Sequence, residues 1–268
     1  MNKIAKILVL IIIQVSSLIA QLNNDKVFIE NENWSEFYNS AKVNGTFVLT
    51  KLNSDSIFCF NKNRTDSSFL PASTFKIINS LISLETKAIE DENEIIKWDG
   101  QKRFLENWNQ DQNLRSAIKY SCVWFYQELA RRVGKEKMQY YLDVCNYGNS
   151  KMGDKIDTFW LEGDIRISAK EQIKFLTNFL NKTLPFSDRN FEIVKNIMLI
   201  DSTDKYKYYA KTGWTARVER EIGWYVGFVE RLGETWIFAI NIDMNGIDDA
   251  KYRIEITESI LKQEGILN

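Results

Sequence analysis

The sequence predicts an α/β protein of the α+β kind. One antiparallel sheet is assembled from both ends of the chain and flanked by helices, with a mostly helical lobe inserted at about residues 96–203. Strand-like runs cluster before residue 61 and again after residue 205, while the stretch between them follows a helical period. No repeat, low-complexity tract or Pro/Ser-rich linker divides the chain, and only Pro71 and Pro185 are present, so glycine, asparagine and aspartate act as breakers. Hydrophobic residues make up 44% and charged residues 26%, which is enough apolar material for a buried core.

The first twenty residues differ in character from the rest. Lys3 and Lys6 precede the apolar run Ile7 to Ile13, and the small residue Ala20 follows before Gln21. That is the layout of a secretory signal, and its apolar stretch is shorter than the roughly 20 residues a spanning helix needs. Residues 1–20 therefore read as a removable export signal and 21–268 as a single domain with no stable membrane insertion. Gly45–Lys51 and Ser56–Phe60 form strands joined by the turn Asn53-Ser54-Asp55. Pro71 opens a helix from Ser73 to about Thr86, with Phe75, Ile78, Leu81 and Ile82 on one face. Asn113 to Val133 and Ser168 to Leu180 are the clearest helical segments of the middle, the second opening on the capping pair Ser168/Glu171. Strands return at Tyr206–Thr212, Ile222–Glu230 and Thr235–Asp243. A last helix runs from about Asp249 to Lys262 and stops before Gly265.

Composition removes several function classes. The net charge is −1, from 35 basic and 36 acidic residues without a basic stripe, so nothing points to nucleic acid. The chain has no histidine, which rules out a Ser-His-Asp triad and a His-ligated zinc site; no metal is expected. Three cysteines, Cys59, Cys122 and Cys145, are an odd count without close spacing, and read as buried free thiols.

A serine without histidine needs another base, and a lysine one helical turn away can supply it. Ser-x-x-Lys occurs four times, at Ser73, Ser116, Ser202 and Ser259, and alone describes an ordinary helix or loop surface. Ser73 differs because it sits at a helix start, where unpaired N–H groups favour a developing oxyanion. Lys76, among Phe75, Ile77 and Ile78, points into an apolar interior where burial lowers its pKa. Lys211-Thr212-Gly213 ends a strand; by itself it is a strand terminus with a glycine turn, but beside Ser73 it could face an acyl substrate and its carboxylate.

Together Ser73-x-x-Lys76, Ser121-Cys122-Val123, Tyr147-Gly148-Asn149 and Lys211-Thr212-Gly213 resemble the motif set of the class D serine β-lactamases, the oxacillinases. Trp98-Asp99-Gly100, Thr158-Phe159-Trp160-Leu161, Arg166-Ile167-Ser168 and Gly223-Trp224-Tyr225-Val226-Gly227 are similar to the same family. The related class A enzymes carry Ser-Asp-Asn where this chain has Ser-Cys-Val. The resemblance implies a β-lactamase/transpeptidase-like fold, β-lactam substrates, and export to the periplasm of a Gram-negative bacterium. It implies no cofactor beyond CO2 or bicarbonate, which carboxylates Lys76 to N6-carboxylysine, with Val123 keeping that pocket dry and the Trp160 indole donating to the carbamate. Ser73 is then the nucleophile, and the Ser73 and Trp214 backbone N–H groups form the oxyanion hole. Ser121 and Lys211 pass a proton to the leaving nitrogen, and Thr212, Gly213, Arg253 and Trp108 bind substrate. The loop Thr215 to Trp224 and the place of Trp108 are similar to some carbapenem-hydrolysing members. Tyr147-Gly148-Asn149 is open between a structural turn and a catalytic role. Two other activities share the motif set, a β-lactam sensor domain that stops at the acyl-enzyme and a D,D-peptidase-like penicillin-binding protein. Oligomeric state is not encoded in any feature of the sequence.

Overall fold

A run such as Ile237-Phe238-Ala239-Ile240 has no polar face, so a strand made from it must be covered on both sides. The computed structural model, which describes residues 26–268, does this with a single seven-stranded sheet. Its strands are β1 (Val27–Glu30), β2 (Gly45–Lys51), β3 (Ser56–Phe60), β4 (Leu199–Ser202), β5 (Tyr206–Trp214), β6 (Glu221–Arg231) and β7 (Glu234–Met244), in the order β1-β3-β2-β7-β6-β5-β4. The export-signal reading of residues 1–20 lies outside the described residues.

Nine helices are described: α1 (Ser35–Ala41), α2 (Lys76–Glu85), α3 (Leu114–Lys119), α4 (Val123–Val133), α5 (Lys135–Val144), the single turn α6 (Phe159–Glu162), α7 (Ala169–Leu180), α8 (Asp188–Ile197) and α9 (Tyr252–Gln263). Because side chains alternate along a strand, Phe238, Ile240 and Ile242 pack with Trp34 and Tyr38 near α1 and with Ile256 and Ile260 of α9. Ile237 and Ala239 join the opposite core with α2, α4 and α7. Three layers result, and the helical segments of the middle share one continuous core with the sheet.

Both N-terminal hairpin strands match the sequence reading residue for residue. Elsewhere the structure corrects it. The sheet is antiparallel except at β1, a strand the sequence did not show, which pairs parallel to β3 because the chain crosses over through α1 before β2 begins. The helix expected from Ser73 starts as a 3-10 turn, Ala72–Phe75, and becomes α2 at Lys76. α2 is buried on every side rather than on one face. Its polar residues are satisfied internally: Asn79 donates to the Tyr126 carbonyl (3.3 Å), Ser83 to Asn79 (3.0 Å), and Ser80 to the Lys76 carbonyl (2.7 Å). The helix expected over Asn113–Val133 is two, α3 and α4, broken at Tyr120-Ser121-Cys122. Ser121 takes a left-handed conformation (φ 53°), and the Cys122 N–H closes back on the Ala117 carbonyl at 2.8 Å. The apolar spacing runs through the break, which is why the sequence did not reveal it. α7 opens on the Ser168/Glu171 capping box as expected. Cys59, Cys122 and Cys145 are free and buried. Among the described residues no helix is long and apolar enough to cross a membrane.

Candidate active site

The segment before α2 makes a sharp corner. Ala72 sits at φ 47°, a conformation that costs a non-glycine residue energy and persists only when its surroundings enforce it. They do. The Trp224 indole donates to the Leu70 carbonyl (2.9 Å), and Thr74 closes on the Pro71 carbonyl with both its N–H (3.1 Å) and hydroxyl (2.7 Å). Gln172 of α7 in turn donates to the Thr74 hydroxyl (2.9 Å). Ser73 is thereby presented half-buried at the mouth of α2, with Lys76 one turn further in and fully buried.

Lys76 Nζ donates to Ser73 Oγ at 2.7 Å. Burial pulls the Lys76 amine down from 10.5 to about 7; the neighbouring Cys122 opposes this and Arg217 adds to it. The Tyr126 ring lies 5.3 Å from Nζ, and its hydroxyl is held by Ser80 at 2.9 Å. Phe75, between nucleophile and lysine, stacks on Trp160 (5.3 Å, 15°) and meets Phe159 edge-on (4.9 Å). Trp160 is fully buried, and its indole N–H has no hydrogen-bond partner among the described residues. A buried donor without an acceptor is costly.

The break between α3 and α4 delivers Ser121 to the same cleft. Lys211 Nζ donates to Ser121 Oγ (3.1 Å) and lies 3.1 Å from the Thr212 carbonyl and 3.4 Å from its hydroxyl. Burial, then the charges of Lys76 and Arg253, hold the Lys211 amine well below the usual lysine value. Trp108 braces this break: its indole donates to the Tyr120 carbonyl (2.9 Å), and Trp124 donates to the Trp108 carbonyl (2.8 Å). Trp108 therefore has its ring face, not its N–H, to offer a substrate. Val123, half-buried, opens α4 against the main core.

β5 forms the third wall. A Cβ on Gly213 would stand 3.0 Å from the Pro71 carbonyl oxygen and 3.2 Å from Thr74 Cγ2, so the missing side chain lets the strand abut the nucleophile corner. β4 pairs only with Lys207–Tyr209, and among the described residues no strand covers the outer edge of β5 beyond it. The Thr215 N–H bonds to the Ile222 carbonyl at 3.1 Å, and bonded pairs alternate along an antiparallel ladder. The Trp214 N–H, paired in register with Gly223, is therefore turned away from β6 to that open edge. Arg253 reaches from α9 to donate to the Gly213 carbonyl (2.8 Å); its Nε is buried without a partner among the described residues, and burial lowers its pKa from 12.5 to about 10. Lys76, Lys211 and Arg253 bond to hydroxyls and carbonyls and, among the described residues, to no carboxylate. Such a cleft suits an anionic ligand.

Ser73, Lys76, Ser121, Lys211, Thr212, Gly213, Trp214 and Arg253 thus converge from four separate stretches of chain. Tyr126 and Gln172 were not singled out by the sequence. Gln172 carried a signal, since it is a polar residue on the helix face that also holds Ala169, Ile173 and Leu176.

This fold and this pairing of Ser-x-x-Lys with Lys-Thr-Gly define the penicillin-binding protein transpeptidase domain, whose family model matches residues 29–263. Within that family the chain belongs to the class D β-lactamases. It is 44% identical over 253 residues to beta-lactamase OXA-48 of Klebsiella pneumoniae, covering 94% of this chain and 96% of the relative. It is 39% identical to beta-lactamase OXA-10 of Pseudomonas aeruginosa over 89% of this chain and 91% of that one. Among solved structures, the class D β-lactamase YbXI from Nostoc superposes with a TM-score of 0.86 at 44% identity, covering 88% of this chain and all of the other. FUS-1 (OXA-85) from Fusobacterium nucleatum subsp. polymorphum does so with a TM-score of 0.87 at 40% identity, over 90% of this chain and all of that one.

Proposed function

We propose that this class D enzyme hydrolyses β-lactams through a serine acyl-enzyme on Ser73, with Lys76, carboxylated by CO2, as the general base for both halves of the reaction. The observation that carries the reading is Lys76 Nζ, buried and 2.7 Å from Ser73 Oγ, with its pKa brought to about 7. A neutral amine is what attacks the carbon of CO2: the new N–C bond forms from the nitrogen lone pair, one N–H proton passes to solvent, and the anion left behind has the Trp160 N–H, unpartnered among the described residues, as a donor. Lys76 so modified takes the Ser73 proton as Oγ attacks the lactam carbonyl carbon. The N–H groups of Ser73 and Trp214 hold the oxyanion. As the C–N bond breaks, the Lys211–Ser121 pair delivers a proton to the departing nitrogen, and Thr212 and Arg253 hold the substrate carboxylate. Lys76 then activates water to release the acyl group. Residues 1–20 act in this reading as an export signal, to the periplasm of a Gram-negative bacterium, and 21–268 as the catalytic unit.

The test is turnover of a chromogenic cephalosporin with and without bicarbonate. Sustained hydrolysis that rises on adding bicarbonate is expected. A burst that stops, with a persistent acyl adduct by intact mass, would instead make the protein a β-lactam sensor.

A further inference from the structure

The Tyr147-Gly148-Asn149 turn has no part in the chemistry above, yet Tyr147 packs on the site while Gly148 and Asn149 both meet the chain at Arg166. Tyr147 is fully buried, and its ring meets Phe75 edge-on at 5.7 Å and Phe175 of α7 at 5.1 Å. Phe75 is the residue that stacks on Trp160. Gly148 lies at φ 55°, and a Cβ there would stand 2.0 Å from the Arg166 carbonyl oxygen, so only glycine fits.

Asn149 pairs with the chain after α6 as a strand would. Its N–H donates to the Arg166 carbonyl (2.9 Å), its Oδ1 accepts from the Arg166 N–H (2.9 Å), and its Nδ2 donates to the Asp164 carbonyl (2.9 Å). The next residue, Ile167, exchanges two bonds with Phe69 at 2.8 and 3.0 Å, just before the nucleophile corner. The stretch that follows Trp160 is thus tied at Ile167 to the segment leading to Ser73 and at residues 164 and 166 to Asn149. The Trp160 indole, just before that stretch, has among the described residues no hydrogen bond of its own to fix it.

We propose that Asn149 is a positioning residue for the reaction: by clamping residues 164–166 it holds the Trp160 N–H where carboxylated Lys76 needs a donor, while Tyr147 holds the Phe75 side of the same pocket. This rests on the carboxylated-lysine reading, and it assigns the motif a purpose: the clamp sets how readily Lys76 is carboxylated, rather than how substrate binds.

The experiment compares wild type, Asn149→Ala and Asn149→Asp by bicarbonate titration of turnover and by the carbamate signal in 13C NMR with labelled bicarbonate. For Asn149→Ala the bicarbonate needed for half-maximal turnover rises about ten-fold or more, as sub-ångström misplacement of a site group can cost. The 13C signal at limiting bicarbonate falls in step, and KM at saturating bicarbonate is unchanged. Asn149→Asp keeps the acceptor for the Arg166 N–H and shifts less. A lowered melting temperature with an unchanged bicarbonate curve and 13C signal overturns the proposal. Where the alanine variant does not fold, an unshifted aspartate variant overturns it equally. An active wild type indifferent to bicarbonate fails at the earlier step and overturns the carboxylated-lysine reading itself.

Discussion

Lys76 is an enclosed amine with, among the described residues, no acid paired to it; in the proposed mechanism proton and CO2 compete for the same lone pair. With its pKa at about 7, the neutral form prevails above that pH. At a fixed, limiting partial pressure of CO2, turnover should therefore fall as pH drops through 7 and recover when the gas is raised; pH–rate profiles at two CO2 pressures check this. The same amine affects stability with a definite sign. Its folded pKa lies below its ordinary value of 10.5, so the unfolded chain binds more protons between about pH 7 and 10.5. In CO2-free buffer the cost of burying the amine is fully present below that window and lifts as pH rises through it. Chemical denaturation across the window should show a rise in stability that is smaller in Lys76→Ala, which retains the like-signed contribution of buried Lys211. The same variant should lose turnover by about a thousand-fold, the middle of the range for a lost general base. Trp160→Phe separates the donor from the ring. Stacking on Phe75 is retained and an unsatisfied N–H removed, so its melting temperature should hold while the bicarbonate requirement rises.

The elements around the site are held by close approach as much as by bonds. In Gly213→Ala the new methyl would meet Pro71 and Thr74 on one side and Trp224 on the other, at 3.0 to 3.2 Å. β5 must then back away from the nucleophile corner, and kcat/KM should fall about a hundred-fold, as misplaced groups do, with secondary structure by circular dichroism unchanged. How much of this was legible in the sequence depends on whether the cause is local. Gly45–Lys51 and Ser56–Phe60 were legible to the residue because alternation and a polar turn define them. Ser73 and Lys76 were legible because helical spacing alone brings them together. Ser121 was named, but the break that delivers it was not, since the left-handed turn is stabilised by tertiary contacts with Trp108 and Lys211. β1 and β4 escaped for a related reason: four residues each, they are strands only because an edge is there to receive them.

Across the molecule, stability draws on two cores and no cross-link. All three cysteines are buried free thiols, and burial raises Cys59 and Cys122 to about 11 and Cys145 to about 12. Thiolate is scarce at neutral pH, so they should resist alkylation in the native state and all react once denatured; the melting temperature should be the same with and without reductant. The sheet order has a further effect on how the chain can be made. β7 lies between β2 and β6, and it alone joins the N-terminal hairpin to the C-terminal strands. During synthesis the nucleophile, its lysine and the Lys-Thr-Gly strand have all been polymerised before the keystone strand exists. A nascent chain ending at Leu232 would hold Ser73, Lys76, Ser121 and Lys211 but neither Arg253 nor the strand that completes the sheet. Competence is thus deferred until β7 and α9 have been made.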